Sequence, residues 1–402
     1  MDFIQRQNYL SAIERYVDKG LILVLVGQRR VGKSCLLAQL RDLKQADPHN
    51  HIIYVDKEKR EFDFIRTYQD MNDYIESHYR QGKKNYILID EVQDIVEFER
   101  SVRNYYNEAD TQVVITGSNA HILSSELSTI IGGRYKEIYV QSLSYAEFME
   151  LHGLNDNDDT LSLFVNYGGM PGLARMGLDE DIAREYLKDI YHTVLLKDVV
   201  MRNQIRNVTF LENLVSFLAD NTGKLISANS ISNYMKAQGI KITPSAIIHY
   251  LRCLAQAYII RPVQRFDIHG KRLFDNNEKY YFEDHGIRNA LAGSNRSGDI
   301  EKVLENIVFQ HLNRLGYSVT VGQLQAGEID FVCTKPGGLR RYVQVAYIIA
   351  DELTRKREFG NLRAIKDDYP KYVISMSPLV TRNDDNGITH LGLRRFLLNG
   401  LE

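Results

Sequence analysis

Cysteine is scarce. Cys35, Cys253 and Cys333 stand far apart in 402 residues and form no CxxC pair, so neither a disulfide framework nor a paired-thiolate metal site is expected. The longest clean aliphatic run, Leu21 to Val26, is far short of the roughly 20 residues that cross a bilayer. No membrane partner is expected. The opening Met1-Asp2-Phe3-Ile4-Gln5-Arg6 lacks a basic stretch followed by an apolar one, so no secretory leader is read and a reducing cytoplasm fits. Internal repeats and low-complexity tracts are missing too.

Net charge is nearly absent, at −2, but it is unevenly spread. Residues 1–183 carry −9, residues 184–283 carry +5 and residues 284–402 carry +2. A mildly basic middle is compatible with nucleic acid there, although five excess charges do not decide the matter. The hydrophobic fraction of 44% and the charged fraction of 25% belong to a soluble globular chain rather than a disordered or fibrous one. At roughly 100 to 200 residues per domain the chain holds two to four domains.

What is present in the first part is alternation. Short apolar runs at Leu21–Val26, His51–Val55, Tyr86–Ile89, Gln112–Ile115 and Glu137–Val140 are separated by longer amphipathic stretches. That pattern predicts an α/β domain built on a parallel sheet with helices on both faces. From Leu161 to about Leu218 the period is helical, broken at Tyr167-Gly168-Gly169-Met170-Pro171-Gly172. The polar stretch Asn155–Thr160 and the segment Gly293–Asp299 are the expected boundaries. The predicted organisation is therefore an α/β domain over 1–155, a helical lid or linker over 156–207, a third domain over 208–292 and a small α/β domain over 293–402.

The strongest motif is Gly27-Gln28-Arg29-Arg30-Val31-Gly32-Lys33-Ser34, which fits GxxxxGK[ST] and lies between an apolar strand and a helical stretch, Cys35–Leu43. Glycines let the backbone turn its N–H groups toward phosphate oxygens, and the next helix presents its positive end. Residues 27 to 35 are the expected cradle for ATP. Lys33 would reach the β- and γ-phosphates and the Ser34 hydroxyl would ligand Mg²⁺. A second apolar strand, Tyr86 to Ile89, ends in Asp90-Glu91, which would bring Asp90 to the metal and leave Glu91 to activate water. A third, Val113-Val114-Ile115, runs into Thr116-Gly117-Ser118-Asn119, polar residues that either orient the water or simply make a turn.

These residues resemble an AAA+ ATPase, of the archaeal-type family related to origin-recognition proteins. The likeness rests on Gly27–Ser34, on Leu88-Ile89-Asp90-Glu91-Val92-Gln93, on Thr116–Asn119, and on Gly133-Arg134 followed by Ser142-Leu143-Ser144-Tyr145-Ala146-Glu147-Phe148. It implies a P-loop fold, Asp90 at the metal, Glu91 as base and Ser118 or Asn119 as sensor. It also implies Arg134 as an arginine that contacts a γ-phosphate in its own or a neighbouring subunit of a homo-oligomer. The alternative for Arg134 is a surface ion pair.

Residues 208–283 read as a winged helix. One helix is marked by Phe210, Leu211, Leu214 and Leu218, and a second by Ile231 and Met235 with Gly239 after its end. The third starts at Thr243-Pro244 and carries the apolar stripe Ile247, Leu251, Leu254 and Tyr258. Ser245, His249, Arg252 and Gln256 recur on its other face, where they could enter a major groove of duplex DNA. Two strands, Tyr258–Arg265 and Tyr280–Glu283, would flank a basic turn with Lys271 and Arg272. A polar helix face is otherwise only a solvated one, and winged helices also dock proteins.

The last segment resembles the restriction-endonuclease-like PD-(D/E)XK core. The resemblance lies in Glu305 on a helix, Asp330 in the strand Gly327-Glu328-Ile329-Asp330-Phe331-Val332, and Gln344 in Tyr342-Val343-Gln344-Val345-Ala346. That chemistry needs carboxylates for a divalent metal and a lysine two residues past the second acid. Ala346 stands in the lysine's place and can neither donate nor carry charge. Cleavage is not expected. The function read from the sequence is Mg²⁺-dependent ATP hydrolysis coupled to duplex DNA binding, with a nucleotide switch for a protein partner, or an ATPase-linked nuclease, as alternatives.

Overall fold

A computed structural model describes residues 4–120, 132–268, 277–292, 299–324, 327–378 and 387–401. It separates into two compact units, residues 1–142 with 256–258, and residues 143–255 with 259–402.

The first unit is a five-stranded sheet of β1 (Ile22–Val26), β2 (Asn50–Asp56), β3 (Lys84–Asp90), β4 (Thr111–Gly117) and β5 (Tyr135–Tyr139), ordered β2-β3-β4-β1-β5. Every pairing is parallel. All five residues of β1 are fully buried, as a strand covered on both faces must be, which is why it reads as a continuous apolar run. Helices α1 (Gln7–Tyr16), α2 (Lys33–Gln45), α3 (Tyr68–His78) and α4 (Phe98–Tyr106) belong to this unit. Helix α2 buries Leu36, Leu37 and Leu40, and α3 is started by a capping box between Thr67 and Asp70. Because β4 lies between β1 and β3, the loops that leave the carboxyl ends of these three strands meet at one edge of the sheet. In open parallel sheets that edge is where ligands bind.

The second unit starts at Leu143, earlier than the polar stretch Asn155–Thr160. Two bonds explain the difference. The Leu143 amide donates to the Gly169 carbonyl at 2.7 Å, and Glu147 of the helix Tyr145–His152 pairs with Arg314 at 3.0 Å. The Ser144 and Glu147 pair that marked the family resemblance is a capping box at the start of that helix. The Gly168-Gly169 turn is packed against Asp284, whose carboxylate accepts from the Gly169 amide at 2.9 Å and from the Ile287 amide at 3.0 Å. A Cβ on Gly169 would stand 2.3 Å from the Leu143 carbonyl oxygen.

Within this unit, three helices (Val208–Asp220, Ala228–Ala237 and Pro244–Gln256) accompany an antiparallel sheet of β6 (Leu225–Ile226), β7 (Ile260–Val263) and β9 (Glu278–Phe282), ordered β6-β9-β7. The predicted strand Tyr258–Arg265 is shorter than expected. After β7 the chain leaves this sheet, and β8 (Arg265–Asp267) pairs in parallel with β10 (Ser318–Leu324). The remaining strands are β11 (Gly327–Thr334), β12 (Arg340–Ala346), β13 (Lys371–Ser375) and β14 (Ile388–Gly392). They form a six-stranded sheet ordered β14-β13-β12-β11-β10-β8, with helices Ile300–Arg314 and Glu352–Ala364 in the same unit. The segments expected as separate domains at 208–292 and 293–402 thus fall in one compact unit.

Among the described residues no helix is long and apolar enough to cross a membrane.

Candidate nucleotide site

The loop from Gly27 to Gly32 leaves β1 and runs into α2, whose N-cap is Gly32 with φ of 99°. Gly27 has φ of 148°, and a Cβ there would lie 2.1 Å from the Val140 carbonyl oxygen. Arg30 also adopts a positive φ, 70°, which a residue with a side chain adopts only where the surroundings enforce it. Such a curl exposes successive backbone amides on one side, the geometry that takes an anion. The Gly27→Ala protein is expected to lose detectable nucleotide binding, since contact with backbone cannot be relieved by a side-chain rotation. Calorimetric titration with MgATP would check it.

Lys33 is buried, and its ammonium donates to the carbonyls of Gly27 and Gln28, both at 3.0 Å. It also stands 3.8 Å from Glu91. Arg29 pairs with Glu58 at 3.3 Å and lies 3.9 Å from Glu91. Glu91 is held in the left-handed region, φ 51° and ψ 51°, a conformation that costs on the order of 1 kcal/mol for a residue with a side chain. Its carboxylate accepts from Ser118 at 3.0 Å and from Gln93. Burial alone would raise Glu91, yet Lys33 and then Arg29, with the two hydrogen bonds, hold it below the usual carboxylate range. It stays ionised.

Asp90 ends β3 and is fully buried. One oxygen accepts from the Thr116 hydroxyl, which in turn accepts from the Glu91 amide at 3.0 Å. The other, Oδ2, is buried without a hydrogen-bond partner. Burial pushes the carboxyl up to about 6, against the pull of the Ser34 and Thr116 hydroxyls. An orphaned carboxylate oxygen near a serine at the head of the phosphate loop suits a hard cation with oxygen ligands. Ser34 and Asp90 therefore fit Mg²⁺.

The structure brings residues 27 to 35, Asp90, Glu91, Ser118 and the buried Asn119 into the first unit's loop edge. Two residues named in the motifs were given no role of their own. Thr116 couples Asp90 to Glu91, and Gln93 steadies the Glu91 carboxylate. A threonine closing an otherwise apolar buried strand was the available signal for the first. Arg134 lies elsewhere. Its carbonyl accepts from Ile22 at 3.1 Å, and Tyr135, the next residue, is level with Ile22 at the amino end of β1. That is the end opposite the phosphate loop, about 15 Å away along five strand residues, so a γ-phosphate held in its own chain is beyond its reach. Its guanidinium sits over the Tyr106 ring at 5.8 Å.

On the helix Pro244–Gln256, Ser245, His249 and Arg252 are exposed and Gln256 is half-buried. Ile248, also exposed, shares that face. Lys271 and Arg272 lie outside the described residues.

Glu305 and Asp330 are also brought together. Lys279 from β9 stands between them, its ammonium 2.8 Å from Glu305, 2.6 Å from Glu328 and 3.7 Å from Asp330. Gln344 bonds Glu358 at 3.3 Å and the Asp330 amide at 3.4 Å. Among the described residues no group of three or more His, Cys, Asp or Glu is arranged to hold a metal.

Strand order, phosphate loop and paired acids together define an AAA-type P-loop ATPase domain, and residues 19–149 match the model of an AAA domain. Residues 158–298 match that of a domain of unknown function. An uncharacterized protein of Haemophilus influenzae is 35% identical over 379 residues, 92% of this chain and 93% of that one. The chain belongs to the family of that protein. Uncharacterized protein MJ1544 of Methanocaldococcus jannaschii is 27% identical over 362 residues, 86% of this chain and 79% of that one. The Walker-type ATPase PABY2304 of Pyrococcus abyssi is similar in fold, with a TM-score of 0.52 at 14% identity over 72% of this chain and 96% of that one.

Proposed function

We propose that the protein binds and hydrolyses ATP with Mg²⁺ and uses the nucleotide state to govern an interaction with duplex DNA. The observation that carries the hydrolytic reading is the meeting of Lys33, Asp90 and Glu91 at one edge of the sheet, with the glutamate kept ionised by its neighbours. The loop amides and Lys33 bind and orient the phosphates, Lys33 turning from the Gly27 and Gln28 carbonyls to phosphate oxygens. Ser34 and Asp90 would hold Mg²⁺, which when bound neutralises charge on the phosphate oxygens. Glu91 takes the proton of the attacking water, and Ser118 and Gln93 fix its carboxylate. Asn119 helps orient that water, and Arg134 would serve only a neighbouring subunit.

The DNA half is supported by the exposed row Ser245, His249 and Arg252 on a helix associated with a three-stranded antiparallel sheet, and by the positive balance of that region. Fluorescence anisotropy with labelled duplex tests it. Binding that weakens on the order of tenfold or more between about 50 and 200 mM salt, and further in Arg252→Ala, supports DNA as the ligand. Salt-insensitive or absent binding, with and without ATP, would leave a protein partner as the target of the switch. The Lys279 geometry counts against the nuclease alternative.

A further inference from the structure

Three carboxylates from one helix and one strand gather round a single ammonium. Glu305 comes from the helix Ile300–Arg314, and Glu328 and Asp330 come from β11. Their common neighbour is an ammonium delivered from another sheet. Lys279, on the central strand of the β6-β9-β7 sheet, has a side chain only 3% exposed. Its Nζ lies within hydrogen-bond distance of Glu305 and Glu328 and within ion-pair distance of Asp330.

We propose that Lys279 is the built-in cation of this pocket: its ammonium stands where Glu305, Glu328 and Asp330 would otherwise gather a divalent metal, and it ties the two sheets together without one.

Several observations bear on this. Glu305 and Glu328 stand at distances proper to charge-assisted hydrogen bonds and Asp330 farther off, whereas Mg²⁺ draws oxygens to about 2.1 Å. Two of the acids have further hydrogen-bond donors. Glu305 Oε1 also accepts from the Tyr281 hydroxyl, and Asp330 Oδ2 accepts from the Val345 amide at 2.8 Å. Gln344, neutral where a fourth carboxylate would stand, turns its amide group to Glu358. Gln344 adds no charge of its own, so the ammonium faces three carboxylates and not a fourth at that position. Burial pulls Lys279 down, but Glu305, Asp330 and Glu328 outweigh it and hold the ammonium above the usual lysine range. Burial pushes Asp330 well above the usual carboxylate range.

A lysine used in phosphodiester cleavage must reach a metal-bound substrate. This one is walled in by its own counter-ions.

The test is Mn²⁺ binding to the nucleotide-free full chain, read by electron paramagnetic resonance, with plasmid nicking in parallel. Wild type should bind no Mn²⁺ that Glu305→Gln removes and should not nick. Lys279→Ala should gain one Mn²⁺ per chain, lost again when Glu305→Gln is added, and its thermal midpoint should fall without Mn²⁺ and recover with it. A folded Lys279→Ala protein that gains no Mn²⁺ overturns the proposal. So does wild type that binds Mn²⁺ at Glu305, or nicks DNA in a manner lost with Lys279→Ala, since the lysine would then be catalytic. The wild-type arm decides even if the variant does not fold, and Lys279→Met, closer in volume, repeats the gain-of-metal arm.

Discussion

Glu91→Gln protein is expected to bind MgATP as wild type does and to turn it over on the order of 10² to 10⁴ times more slowly, the range a positioned general base contributes. The substitution keeps the shape of the side chain. A glutamine oxygen can still accept from Ser118, which holds the carboxylate at 3.0 Å, so the loop need not move. What is lost is the negative charge that Lys33 and Arg29 maintain against burial. Binding and turnover should therefore separate. Steady-state phosphate release, with affinity measured independently, checks this. A Glu91→Gln enzyme that turns over like wild type would assign the base elsewhere.

The second large effect is at Lys33. Lys33→Ala is expected to weaken nucleotide binding on the order of 10²-fold, the loss of charge-assisted bonds worth about 3 kcal/mol. The alanine also leaves Glu91 without its nearest cation, at 3.8 Å. Burial then goes less opposed, and the Glu91 carboxyl should rise. The activity that remains at saturating nucleotide should accordingly fall off at a higher pH than in wild type. An unchanged affinity would show that the loop does not grip phosphate.

The site was largely legible in the sequence because its residues lie in strands whose both faces are buried. An apolar run that ends in Asp90-Glu91, or in Thr116-Gly117-Ser118, can only place those polar groups at the strand's carboxyl end. The sequence also revealed the Schellman ending at Gly239, where the Ile240 amide reaches the Met235 carbonyl at 2.9 Å. Tyr258 was read as part of a helical stripe and then of a strand, and it is neither. It has φ of 54° and occupies the left-handed position after the helix Pro244–Gln256, with the Ile259 amide bonded to Leu254 at 3.0 Å. Glycine announces that position and tyrosine does not.

Partners remote in sequence were the other blind spot. Periodicity showed a strand near Arg265 but could not show that Arg265–Asp267 changes sheet. Nothing in the sequence marks Lys279, and only the packing of the helix Ile300–Arg314 against β9 makes it the partner of Glu305. The own-subunit reading of Arg134 failed for a related reason. A motif match carries no information about which end of the sheet a residue occupies, and the register with Ile22 supplies it.

The most direct measurement is a calorimetric titration of the wild-type chain with ATP at millimolar Mg²⁺. The account predicts a saturable heat with one nucleotide per chain, lost in Gly27→Ala and much weakened in Lys33→Ala. A flat thermogram from folded protein would contradict it.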